Sequence, residues 1–144
     1  MKKSLLTLAT ISVMLLGACQ NNTSKQNDPS ALSAQSIAVH DEIMPQISAF
    51  DKHTVLIDSL LGNLKEIKSQ NPATDTAEIR DNLQNLKTEL ESATDKMMTW
   101  MKEFEPDSTQ TVYQQAQFDS ISNLKETFSK AAQNADRLLT PFNK

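Results

Sequence analysis

Cysteine is nearly absent: Cys19 is the only one, so the chain can form no internal disulfide and no paired-thiolate metal site. Glycine is equally scarce, with two residues, and neither lies in a Gly-rich loop of the kind that cradles phosphates. Aromatic residues make up 5% of the chain, β-branched residues do not cluster, and no segment alternates apolar and polar residues. Together these absences argue against strands and for an all-α fold. Neither histidine belongs to a His-Glu-x-x-His pair, and the carboxylates are spread along helix faces, as in Glu126 with Lys130. That pattern describes solvated surface, and the expectation is that the protein is not an enzyme. Lysine and arginine number 14 against 18 acidic residues, with no basic cluster, which argues against nucleic acid as a partner.

What is present begins at the N-terminus. Met1-Lys2-Lys3 precedes an apolar run from Leu5 to Leu16, followed by Leu16-Gly17-Ala18-Cys19. The run is about 12 residues, too short for a spanning helix of roughly 20, and basic residues before it make it a secretory signal. Small residues ahead of a cysteine suit a narrow peptidase site, and the thiol is a nucleophile for acylation. Leu16-Gly17-Ala18-Cys19 resembles the bacterial lipobox. That resemblance implies a cleaved signal peptide at 1–18, with Cys19 as the lipid-bearing (diacylglycerol, palmitate) first residue of a mature chain. Residues 20–29 are rich in Asn, Gln, Ser and Lys without an apolar residue, and read as a flexible tether. Without a polybasic stretch, the lipid alone must hold the protein to the membrane. Gln20 stands where an aspartate would resemble an inner-membrane retention signal, which favours the periplasmic face of the outer membrane.

The remainder, 30–144, is expected to form an elongated up-down-up three-helix bundle. The first helix starts at Pro29 or Ser30 and ends at Asn71-Pro72. Its stripe runs through Ile37, His40, Met44, Ile47, Phe50, Thr54, Ile57, Leu61 and Leu64. Pro45, inside it, removes the amide bond to Asp41 and predicts a kink. Gly62 is read as a close helix approach or a local weak point. Asp75-Thr76-Ala77-Glu78 has capping-box spacing and opens a second helix whose stripe is Ile79, Leu83, Leu86, Leu90, Ala93, Met97, Trp100 and Phe104. After Glu105-Pro106-Asp107, Asp107 is expected to cap a third helix with Gln110 at N3. The third stripe is Phe118, Ile121, Leu124, Phe128, Ala131, Ala135 and Leu138, closed by Thr140-Pro141. At 1.5 Å per residue such helices make a rod of roughly 45–60 Å.

Folding the first two helices about Pro72 sets residue i beside about 144 − i. His40 then lies level with Phe104, Met44 with Trp100, and Ile47 with Met97. Tyr113 and Gln117 arrive at the same end. His40, Met44, Met97, Met98, Trp100 and Met101 therefore gather at one end of the rod. Three readings fit them. Methionine fills irregular gaps beside aromatics, so the cluster can be core. The same adaptability suits a groove for an envelope protein partner. Imidazole and thioether together also suit Cu(I) or Ag(I), with His40/Met44 and Met97/Met101 as i,i+4 pairs and Trp100 packed over the ion. His53, off the stripe, reads as solvated. No other cofactor is expected, and the leading expectation is a non-catalytic, lipid-anchored binding or spacer module.

Two segments carry a further likeness. His40-Asp41-Glu42-Ile43-Met44-Pro45, and Ala93-Thr94-Asp95-Lys96-Met97-Met98-Thr99-Trp100-Met101-Lys102-Glu103-Phe104, resemble a group of small helical lipoproteins from Gram-negative bacteria. Its members often carry the label "viral A-type inclusion protein", which reflects generic coiled-coil similarity and implies no activity. In that group a histidine often follows Trp-Met; here Lys102 occupies the position.

Overall fold

The computed structural model describes residues 28–142. The expected signal peptide, Cys19 and tether residues 20–27 lie outside the described residues. Chain order is α1 (Pro29–Gly62), α2 (Leu64–Gln70), α3 (Thr76–Glu103), α4 (Thr111–Leu139) and a closing 3-10 turn (Thr140–Phe142). The fold is all-helical among the described residues, with four helices packed together and no strand.

Each start has a local cause. Asp28 accepts the amide of Ala31 at 3.2 Å, and Pro29 takes the first helical turn, where its missing N–H goes unused. Asp75 caps α3 by accepting from Ala77 and Glu78 at 2.9 and 3.1 Å. α1 runs through Pro45 without interruption; the proline is on the exposed side, where water can reach the Asp41 carbonyl it frees.

The expected single helix to Asn71 is instead divided. Asn63 closes α1: its amide donates to Ser59 and Leu60 carbonyls, and its Nδ2 donates to Ser59 at 2.8 Å. A glycine followed by an asparagine explains the break. Gly62 gives up the most backbone freedom in a helix, and the Asn63 amide competes for carbonyls that would continue the ladder. A Cβ on Gly62 would meet nothing within 4 Å, so close helix approach is not the reason for this glycine.

The core follows the periodicity, with one shift. Ser36, Ile43, Phe50, Ile57 and Leu64 are buried on α1 and α2 at strict steps of seven, the repeat that keeps one seam facing its partners. Ile43, fully buried, was missing from the expected stripe, whereas Ile37 is 42% exposed. On α3, Leu83, Leu86, Leu90, Ala93, Met97 and Trp100 are buried as the pattern requires. On α4 the buried set ends at Leu139 in place of Leu138. Phe50 and Phe128 stack at 5.0 Å and 15° in the middle of this core.

Contacts across helices fix the register. Lys87 of α3 pairs with Asp58 of α1 at 2.6 Å. Lys125 of α4 pairs with Glu42 of α1 at 2.7 Å, and Asn134 of α4 donates to Glu89 of α3 at 3.0 Å.

The segment 104–110 is held from within α4, and Asp107 is not its cap. Gln110 occupies the N-cap position without a side-chain bond. Tyr113 and Gln114 do the holding instead. The Tyr113 hydroxyl donates to Glu103 at 2.9 Å and accepts the Glu105 amide at 2.8 Å. Gln114, fully buried, donates through Nε2 to the carbonyls of Glu105 at 3.0 Å and Ser108 at 3.1 Å, with Pro106 at 3.4 Å. Ser33 of α1 donates to the Pro106 carbonyl at 2.9 Å, which ties this loop to the first helix.

Candidate functional site

The expected register set His40 beside Phe104 and Met44 beside Trp100; the structure instead brings together, one helical turn away, His40 and Trp100. Their ring centroids lie 5.9 Å apart with planes at 26°, and Trp100 stacks in turn on Phe104 at 4.5 Å and 17°. The i,i+4 spacing of Trp100 and Phe104 makes the second contact; the packing of α1 against α3 makes the first. Met97 and Trp100 are core, at 0% and 6% exposure, and Met44 packs against that core while half-buried. Met101 and Met98 differ from these: they are 41% and 54% exposed. The cluster thus has a packed inner layer and an outer thioether layer.

His40 sits between the two. Its Nδ1 lies 2.9 Å from the Asp41 carboxylate, and its Nε2 is buried with no hydrogen-bond partner in the protein. A neutral imidazole donates one N–H and carries one lone pair. With an acceptor carboxylate at Nδ1, the proton is assigned there, and the lone pair falls on Nε2, in the interior. Trp100 Nε1 is likewise buried without a partner. Two neighbouring side chains therefore keep unused polar atoms beneath the surface, which native interiors seldom tolerate. His53 also departs from the solvated reading: it is half-buried, with Nδ1 enclosed and unpartnered.

No three His, Cys, Asp or Glu side chains converge on a metal-sized site among the described residues. A groove of about 610 Å³ runs between α3 and α4 beside Trp100, lined by Asp95, Lys96, Thr99, Gln117, Asn123 and Leu124 among others. It is open and lined mostly by polar residue types, and does not include His40, Met44 or Met101.

Sequence reasoning missed Gln114. A glutamine four residues past Gln110 has no pattern that marks it as buried, because its role depends on three carbonyls of a loop with irregular path. Ser33 and Ser36 were missed for a similar reason: small hydroxyl residues look like surface until their partners, the Pro106 and Leu32 carbonyls, are known.

No family model, no curated protein and no solved structure matches this chain.

Proposed function

We propose that this chain is a non-catalytic, lipid-anchored cell-envelope protein, of the small helical lipoprotein kind, whose rod is a binding or spacer module. Its architecture on this reading is an up-down-up three-helix bundle in which α2 continues α1. The pairs Asp58–Lys87, Glu89–Asn134 and Glu42–Lys125 support that arrangement, because numbering falls along α3, and rises along α4, as it rises along α1. Lipid at Cys19 and a tether would hold the rod at the periplasmic face of the outer membrane.

One observation carries the choice of contact surface. Of the large apolar side chains exposed among the described residues, Ile37, Met98, Met101 and Val112 lie in the half of the rod nearest the start of α1; Val55 alone lies elsewhere. Clustered exposed apolar groups mark contact surfaces more often than single ones do, and flexible thioethers adapt to the shape they meet.

The test is site-specific photocrosslinking in intact cells, with a benzophenone side chain at Met98 and, as comparison, at Val55. Discrete adducts from position 98 and none from 55 are expected. Equal labelling from both positions, or none from 98, removes the proposed surface. Cys19→Ser is expected to move the protein from the membrane fraction to the soluble fraction, and its retention in the membrane refutes lipid anchoring.

A further inference from the structure

We propose that His40, Met44 and Met101 form a binding site for one soft monovalent cation, Cu(I) or Ag(I), at the outer seam between α1 and α3. The inference rests on the contact surface proposed above and names the chemistry of its inner edge.

The convergence of the three side chains follows from register. Asp58 and Lys87 face each other across the α1–α3 seam at 2.6 Å. Met44 stands fourteen residues before Asp58, and Met101 fourteen residues after Lys87. Fourteen residues are two heptads, four turns of a helix packed in a bundle, so each methionine returns to the flank of the ion-paired residue. Because α3 descends as α1 ascends, the two displacements carry both methionines to one level. Met44 and Met101 therefore face each other as Asp58 and Lys87 do. His40 lies one turn from Met44 on the same flank and is placed against α3 by its stack on Trp100.

The donor chemistry is as specific as the placement. Histidine ligands commonly give their second ring N–H to a carboxylate, which fixes the tautomer and makes the ligating nitrogen more basic. Asp41 occupies that position at 2.9 Å from Nδ1, and Nε2 is buried without a partner. If the ring were protonated at Nε2 instead, a buried donor would lack an acceptor and the Nδ1 lone pair would face the Asp41 carboxylate, so both nitrogens would be mismatched. One imidazole with two neutral thioethers favours a soft cation over Mg²⁺, Ca²⁺ or Zn²⁺. Partial exposure of Met44 and Met101 leaves a route in for the ion. Met97, fully buried among Leu90, Ala93 and Trp100, is accounted for by packing.

The experiment uses the full chain as Cys19→Ser in mild detergent, so that the sole thiol cannot compete for copper. Cu(I) is titrated under reducing conditions against bicinchoninate, with Ag(I) in parallel and the emission of Trp100, the only tryptophan, as a second reporter. One tight equivalent is expected, with a nitrogen-and-sulfur shell at the copper X-ray absorption edge. Met→Leu substitutions keep volume while removing sulfur. Asp41→Asn should weaken binding about tenfold, the usual loss for a residue behind a metal ligand. Met44→Leu and Met101→Leu should each weaken it further than that, and Met97→Leu should leave it unchanged, all with wild-type helicity. Absence of a one-to-one complex in the folded chain overturns the site. So does undiminished binding by the Met44→Leu and Met101→Leu variants, or an equal loss in Met97→Leu. Crosslinking from position 98 that persists without copper binding separates failure of this site from failure of the contact surface.

Discussion

Gln114→Glu exchanges one NH2 group for an oxygen at the most enclosed polar side chain of the loop between α3 and α4. Gln114 is fully buried, and its Nε2 supplies the carbonyls of Glu105 and Ser108 at 3.0 and 3.1 Å, with that of Pro106 at 3.4 Å. An NH2 has two hydrogens, so two good bonds are at stake. Gln114→Ala removes both and leaves two carbonyls underserved, which costs about 2–3 kcal/mol at roughly 1 kcal/mol per bond plus part of a desolvation term. Gln114→Glu is worse when ionised. It presents only acceptors to three carbonyls, and an uncompensated buried charge costs about 3–5 kcal/mol. For a domain of this size, 1 kcal/mol moves Tm by roughly 4 °C, so Ala should lower Tm by about 8–12 °C and Glu by more. Acid reverses part of the Glu effect. Burial raises the folded carboxyl above its unfolded value near 4.3, so the penalty is full only above the folded value and shrinks as pH falls from there toward about 4.5. There the protonated oxygen donates to one of the carbonyls. Thermal melts followed by helical circular dichroism at both pH values test this. A Glu variant that melts with the wild type at neutral pH, or whose deficit is the same at both pH values, refutes the assignment of Gln114 as the donor that closes this loop.

Three further outcomes follow from the packing. Phe128→Ala, which empties a site at 0% exposure stacked on Phe50, should cost about 3–5 kcal/mol; chemical denaturation reads it, and a loss below 1 kcal/mol would mean the neighbours collapse into the space. Gly62→Ala should stabilise the chain by about 0.5–1 kcal/mol, since a Cβ there meets nothing within 4 Å and the helix gains a better residue; destabilisation would show that the break at Asn63 is needed by the fold. The Asp58 hydrogen bond, opposed by partial desolvation and assisted by Asp58 and Glu91 charge, raises the Lys87 ammonium above its ordinary pKa. A raised lysine stabilises fully below its unfolded pKa and loses that contribution as pH climbs through the folded value, so Asp58→Asn should return the Nζ titration, followed by NMR, toward the ordinary range and remove at neutral pH the small stability the pair supplies.

The periodicity of three and four was enough to place the helical segments and most of the core, because burial of an apolar stripe is a property of the helix itself. α3 shows this best, with six of the eight residues in its expected stripe buried. Where the reading slipped, the deciding partner lay elsewhere in the chain. Ile37 and Ile43 differ by six residues and are equally apolar, yet only Ile43 falls on the seven-residue series shared with Phe50 and Ile57. The break at Gly62-Asn63 depends on which of two competing hydrogen-bond sets wins, and the Asn63 side chain decides it by donating to Ser59. Asp107 had the residue type and spacing of a cap, but Gln114 reaches the same loop from inside the bundle and fixes its path first.

The candidate site divides along the same line. Hairpin geometry found the right end but not the right pair, since it set His40 level with Phe104 and the stack falls on Trp100, one turn away. It could not sort the methionines, because Met97 and Met101 share a face of α3 while one is sealed and the other 41% exposed. The difference is one of tertiary cover: position 97 lies within the buried core cluster, whereas position 101 lies outside it. A sulfur sealed in the core cluster is sufficiently explained by packing. A sulfur on a two-helix seam, level with a second sulfur and one turn from an imidazole whose inner nitrogen has no partner, is not explained by packing alone. Nothing in core physics requires Asp41 beside His40 either, since leucine at position 40 would fill the stripe without leaving a buried lone pair. The outer seam is therefore where this sequence departs from what a stable rod needs, and it is there that substitutions should change binding more than they change stability.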